Sequence, residues 1–128
     1  MKYLVIYFFI IMSLYGSDKE KSLEIGSSIP NVEAFNHEGE RVNLMELVSG
    51  ELSIVFFYPK ALTPGCTMQA CSLRDTFTDI KDINIIGISA DNPETQMKFK
   101  SKYNLPYTLI ADSNGEINKA FKKNKWAR

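Results

Sequence analysis

The order of apolar runs along this chain predicts an α/β fold, with strands and helices alternating around a largely parallel sheet. Three observations carry that expectation. The apolar run Leu52–Tyr58 has the pattern of a central strand buried on both faces. A helix-like segment from Pro64 to about Ile80 follows it, with Cys66, Ala70, Leu73, Phe77 and Ile80 spaced as one helix face. A second apolar run, Ile83–Ser89, comes next, and a strand reached through a helix is expected to lie parallel to its predecessor.

The other elements follow from local chemistry. Asn31–Phe35 and Glu40–Leu44 read as an edge hairpin turned at Glu38-Gly39, and Met45–Val48 as a short helical turn. His37, the sole histidine, is expected to be a solvated residue of that turn. Asn92 is a good N-cap with Pro93 at the first helical position, which predicts a helix to about Tyr103 that stops before Pro106. Tyr107–Ala111 reads as a strand, Ser113-Asn114-Gly115 as a turn, and Glu116–Phe121 as one or two helical turns.

With 128 residues, 45% of them hydrophobic and 23% charged, the chain has the composition of one small globular domain. Fifteen basic and fifteen acidic residues leave no net charge, so nothing in the composition favours nucleic acid as a partner. The lysines between 119 and 125 read as a solvated surface, or as the stub of a further segment, rather than as a binding patch. The first sixteen residues stand apart. Lys2, an apolar stretch from Tyr3 to Tyr15 and then Gly16 have the pattern of a secretory signal peptide, with an uncleaved anchor as the alternative. Residues 17–22 read as a polar linker and 23–128 as the folded domain. That leader implies export to a periplasmic or extracellular space, with no stable membrane association once it is cleaved.

Chemistry concentrates at the junction Pro59-Lys60-Ala61-Leu62-Thr63-Pro64-Gly65-Cys66-Thr67-Met68-Gln69-Ala70-Cys71. Thr63 is expected to cap the helix, with Pro64, Gly65 and Cys66 as its first three residues. Cys66 then lies where unpaired N–H groups and the positive end of the helix dipole converge, a field that favours the nucleophilic thiolate. The Thr63 hydroxyl could accept a helix N–H and aim its own proton at the Cys66 sulfur, or at an oxygen bound beside it. On an intact helix the Cys66 and Cys71 Cα atoms are about 8.6 Å apart, outside the disulfide range, so joining them requires the first turns to unwind. Such a bond suits a catalytic cycle better than a static staple. Two cysteines and one distant histidine fall short of a zinc site, and no metal or other cofactor is expected.

These residues resemble the peroxiredoxins, and most of all the Q-type branch, also called bacterioferritin comigratory protein. Pro59, Thr63 and Cys66 fill its P-x-x-x-T-x-x-C motif, and Cys71 matches the branch's second cysteine. Gly26 to Pro30 with Phe35, Ile85 to Ser89 with Asp91, and Leu109 to Asp112 resemble its other stretches, so the likeness runs from about Leu23 to Phe121. The resemblance implies a thioredoxin-like fold and a peroxidase that reduces hydrogen peroxide and organic hydroperoxides. It makes Cys66 the peroxidatic cysteine, oxidised to a sulfenic acid, and Cys71 the resolving cysteine, with the bridge reduced by thioredoxin or a similar dithiol. It has Thr63 hydrogen-bond the peroxide and Pro59 shield the thiolate. The family's arginine is best matched in position by Arg128, the last residue, whereas Arg74 reads as a solvated helix residue. Complete members continue with two more strands and a helix, so a chain ending at Arg128 would be a truncated form, with an open strand edge, low stability and weak activity. Two other readings stay open: an exported thioredoxin-like disulfide oxidoreductase, which would more usually carry C-x-x-C, and a non-catalytic remnant of the fold.

Overall fold

A computed structural model describes residues 23–50, 52–77 and 82–121. The leader, the linker and Arg128 lie outside the described residues, as do residues 78–80 at the expected end of the long helix.

The described elements run β1 (Glu33–Asn36), β2 (Arg41–Asn43), α1 (Leu44–Leu47), β3 (Leu52–Phe57), α2 (Pro64–Phe77), β4 (Ile83–Ser89), α3 (Pro93–Tyr103), β5 (Thr108–Ala111) and α4 (Glu116–Ala120). They build one sheet in the order β2-β1-β5-β4-β3. β3, β4 and β5 are parallel, as their helical connections require, while β1 is antiparallel to both β2 and β5.

Strand alternation sorts the core into two layers. Phe56, Ile85 and Leu109 face an aromatic layer that includes Tyr58, Phe99 and Tyr107, together with Cys66 and Ala70 of α2. Ile86, Ile88 and Ile110 face an aliphatic layer closed by Leu44 of α1 and Ile117 of α4. Gly87 permits the close approach within the first layer, since a Cβ there would lie 2.8 Å from both Leu109 Cδ2 and Phe56 Cζ.

The position of β3 and the burial of His37 differ from the pattern-based expectation, while the open edge of β3 among the described residues accords with what the resemblance implies. β3 packs on both faces, through Ile54 and Phe56 on one and Val55 and Phe57 on the other, but among the described residues its only neighbour is β4. It is therefore a flanking strand here, and Leu52 at its start is 70% exposed. His37 is buried rather than solvated, because β1 docks on β5 and carries the turn inward. Its backbone N–H bonds the Leu109 carbonyl at 2.9 Å, and its Nδ1 accepts the Leu109 N–H at 3.4 Å. Burial, then the Lys100 ammonium, hold the imidazole below its ordinary range.

Candidate active site

The segment between β3 and α2 is held by polar groups from three other elements. Tyr58 continues the β3 ladder, its N–H meeting the Ile88 carbonyl at 3.0 Å, and its buried hydroxyl donates to Gln96 Oε1. Burial pushes that phenol far above its usual range, so it remains a donor. Gln96 Nε2 donates to Ser89 Oγ and to the Ile110 carbonyl, both at 2.9 Å. Ser89 Oγ donates in turn to Asp91 Oδ2 at 2.7 Å. The same carboxylate oxygen accepts the Ala61 N–H at 2.7 Å. The loop is thus tied at Ala61 to the end of β4 and the start of α3. Pro59 and Lys60 stand exposed outside this knot, and Leu62 takes a left-handed conformation at φ 65°.

Cys66 sits in the first turn of α2, only 7% exposed, and packs in the aromatic layer with Tyr58, Ala61 and Ala70. The first intrahelical bond runs from the Thr67 N–H to the Thr63 carbonyl at 2.9 Å. The Thr63 side chain does not cap the helix as its sequence position suggests. Its hydroxyl turns back and donates to the Lys60 carbonyl at 2.8 Å, so its proton is directed at the loop rather than at the Cys66 sulfur. Among the described residues no side chain accepts the Gly65 or Cys66 N–H, so both stay available at the helix mouth. Space is open beside Gly65, where an added Cβ would meet nothing within 4 Å.

Cys71 is half-buried, and both cysteines are free on a continuous helix. Its surroundings are more built than the sequence suggests. The Tyr107 hydroxyl donates to the Ala70 carbonyl at 2.7 Å. Arg74 is not a freely solvated residue: its Nη1 donates to the Tyr103 carbonyl at 2.8 Å and its Nε to Asp75 Oδ1 at 2.8 Å. That pairing with Asp75 holds the guanidinium above its ordinary range.

The structure therefore brings Pro59, Thr63, Cys66 and Cys71 into one strand-loop-helix unit. Sequence reasoning missed Ser89, Gln96 and Tyr107, and it noted Asp91 without a role. One signal was present: Gln96, Phe99 and Tyr103 share a helical stripe, so a glutamine there had to be buried and partnered. Among the described residues no cluster of three or more His, Cys, Asp or Glu side chains could hold a metal ion.

A buried thiol in the first turn of a helix that follows a parallel strand, on a sheet flanked by helices, defines a thiol protein of thioredoxin-like fold. The chain belongs to the AhpC/TSA family, whose model matches residues 25–126. It is 39% identical over 102 residues to Peroxiredoxin Bcp of Bacillus subtilis (strain 168), an alignment covering 78% of this chain and 64% of that protein. Peroxiredoxin Bcp of Escherichia coli (strain K12) is 40% identical over 101 residues, with coverages of 77% and 64%. The crystal structure of peroxidoxin BcpB from Mycobacterium tuberculosis matches with a TM-score of 0.71 at 33% identity, covering 75% of this chain and 64% of that one. The chain thus spans 64% of the length of each of these relatives.

Proposed function

We propose that this chain acts as a thiol-dependent peroxidase on hydrogen peroxide and organic hydroperoxides. The observation that carries the reading is Cys66 at an uncapped helix mouth beside Thr63, in a chain whose relatives are named peroxiredoxins. The Cys66 thiolate attacks one peroxide oxygen and the O–O bond breaks. The leaving oxygen takes a proton and departs as water or an alcohol, and Cys66 becomes a sulfenic acid. The Gly65 and Cys66 N–H groups can donate to the reacting oxygens. Thr63 Oγ1, while donating to Lys60, keeps lone pairs that can accept the peroxide O–H and so orient it. Arg128 would complete the charge around the sulfur.

Resolution follows from Cys71. Its sulfur attacks the sulfenic sulfur, the S–O bond breaks, water leaves, and a disulfide remains. An external dithiol of the thioredoxin type reduces it. Read as a leader, residues 1–16 would direct the protein to an exported, periplasmic or secreted setting, where that reductant would also be needed.

Peroxide consumption with a thioredoxin system tests the reading. Cys66→Ser is expected to abolish turnover, and Cys71→Ser to leave a sulfenic acid at Cys66 that a dimedone probe labels. Steady disulfide reduction with no peroxide consumption would favour the oxidoreductase reading instead. Absence of both would favour a non-catalytic fold.

A further inference from the structure

The two halves of α2 are secured differently. At the rear, Tyr107 bonds the Ala70 carbonyl and Arg74 bonds the Tyr103 carbonyl. Residues 70 and 74 bracket Cys71, and in a helix they are themselves joined, since the N–H of one residue meets the carbonyl four before it. A bond received from Tyr107 at residue 70 and a bond donated to Tyr103 by residue 74 therefore flank the internal hydrogen bond beside Cys71. At the front, among the described residues, no side-chain hydrogen bond ties residues 64–69 to another element. The Thr67 hydroxyl in that stretch is buried without a protein partner, a state that favours loosening over order.

Joining Cys66 to Cys71 requires part of the helix to unwind. We propose that Tyr107 and Arg74 are positioning residues that pin α2 at Ala70, so that the turn bearing Cys66 unwinds toward a stationary Cys71. The inference rests on the disulfide step of the peroxidase reading. It also says where the unwinding stops. With Ala70 fixed, its carbonyl still accepts the Arg74 N–H, and Ala70 becomes the cap of a shortened helix. Cys71 then becomes the first residue of that helix and inherits the positive end that Cys66 occupied before. Burial keeps the Tyr107 phenol protonated far above neutral pH, so this donor is not lost in any ordinary medium.

Hydrogen–deuterium exchange on the full chain tests this, with the disulfide made by diamide rather than by peroxide. Diamide takes two electrons and two protons from the thiols, so a failure of peroxidase activity leaves this test untouched. On oxidation, peptides covering 64–70 are expected to exchange at least tenfold faster, while those covering 72–77 keep their reduced-state protection. In oxidised Tyr107→Phe the faster exchange is expected to spread through 72–77, with the sheet still protected. Arg74→Gln, a partly exposed position, is expected to do the same and serves if the phenylalanine variant does not fold. Equal loosening of both halves in the oxidised parent chain would overturn the proposal. So would an unchanged boundary in both variants, or failure of diamide to join Cys66 and Cys71.

Discussion

The starts of α2 and α3 look alike in sequence and differ in structure. Each has a polar capping type followed by proline: Thr63-Pro64 and Asn92-Pro93. At α3 the Asn92 side chain accepts the Thr95 N–H at 2.8 Å, and the helix is closed. At α2 the Thr63 hydroxyl faces backward to Lys60, and the N–H groups around Cys66 meet no side chain among the described residues. The closed start gives stability to its own helix. The open start leaves donors free for an incoming oxygen, and its position depends on Asp91 gripping Ala61 from outside. The same motif thus closes one helix and leaves the other open, as the proposed peroxidase reading requires.

Substitutions can break this contrast, and the largest effect is expected at Asp91. Asp91→Ala removes the acceptor of both the Ala61 N–H and the Ser89 hydroxyl, a loss of about 2 to 3 kcal/mol for hydrogen bonds to a charged group. Urea denaturation would show it, together with slower peroxide consumption. Asn92→Ala is expected to cost about 1 kcal/mol through the lost cap, with peroxide consumption unchanged. Thr63→Val should cost about 0.5 kcal/mol, since that side chain caps nothing and loses only an exposed hydrogen bond to the Lys60 carbonyl. It should nonetheless slow peroxide consumption by at least about tenfold, through loss of substrate orientation. A Thr63→Val chain as destabilised as Asn92→Ala would erase the contrast.

The smallest effect separates titration in the sheet from the helix starts. His37 has a folded pKa below its ordinary 6.5, so the unfolded chain binds more protons in the window beneath that value. Stability from this group is complete above pH 6.5 and is lost as the pH falls toward the folded value. His37→Asn, which can still accept the Leu109 N–H but does not titrate, is expected to flatten the slope of urea stability between pH 7 and 5. The difference between Asn92→Ala and Thr63→Val should not change over that range.

Much of this was legible in the sequence because its signals are local. Apolar runs marked β3 and β4, Asn92-Pro93 marked the start of α3, and the Cys66–Ala70–Leu73 stripe marked the inner face of α2. What failed was decided by contacts that residue type does not announce. The rotamer of Thr63 answers to a carbonyl three residues back rather than to the helix ahead. His37 is buried because β1 meets β5, a pairing across some seventy residues that no local pattern encodes. Arg74 and Tyr107 reach carbonyls on other elements, and carbonyl acceptors carry no residue-type signature.

The chain of bonds from Tyr58 through Gln96 and Ser89 to Asp91 runs one way only. The Ile110 carbonyl can only receive, so the amide must aim its nitrogen at that carbonyl and at the serine and its oxygen at the phenol, and the carboxylate closes the sequence by receiving. No member can reverse without stranding a neighbour, so the path behaves as a ratchet with a single permitted setting. The backbone at Ala61 is therefore aimed by an amide on another helix, and disturbing that remote group would misdirect the thiol without touching it.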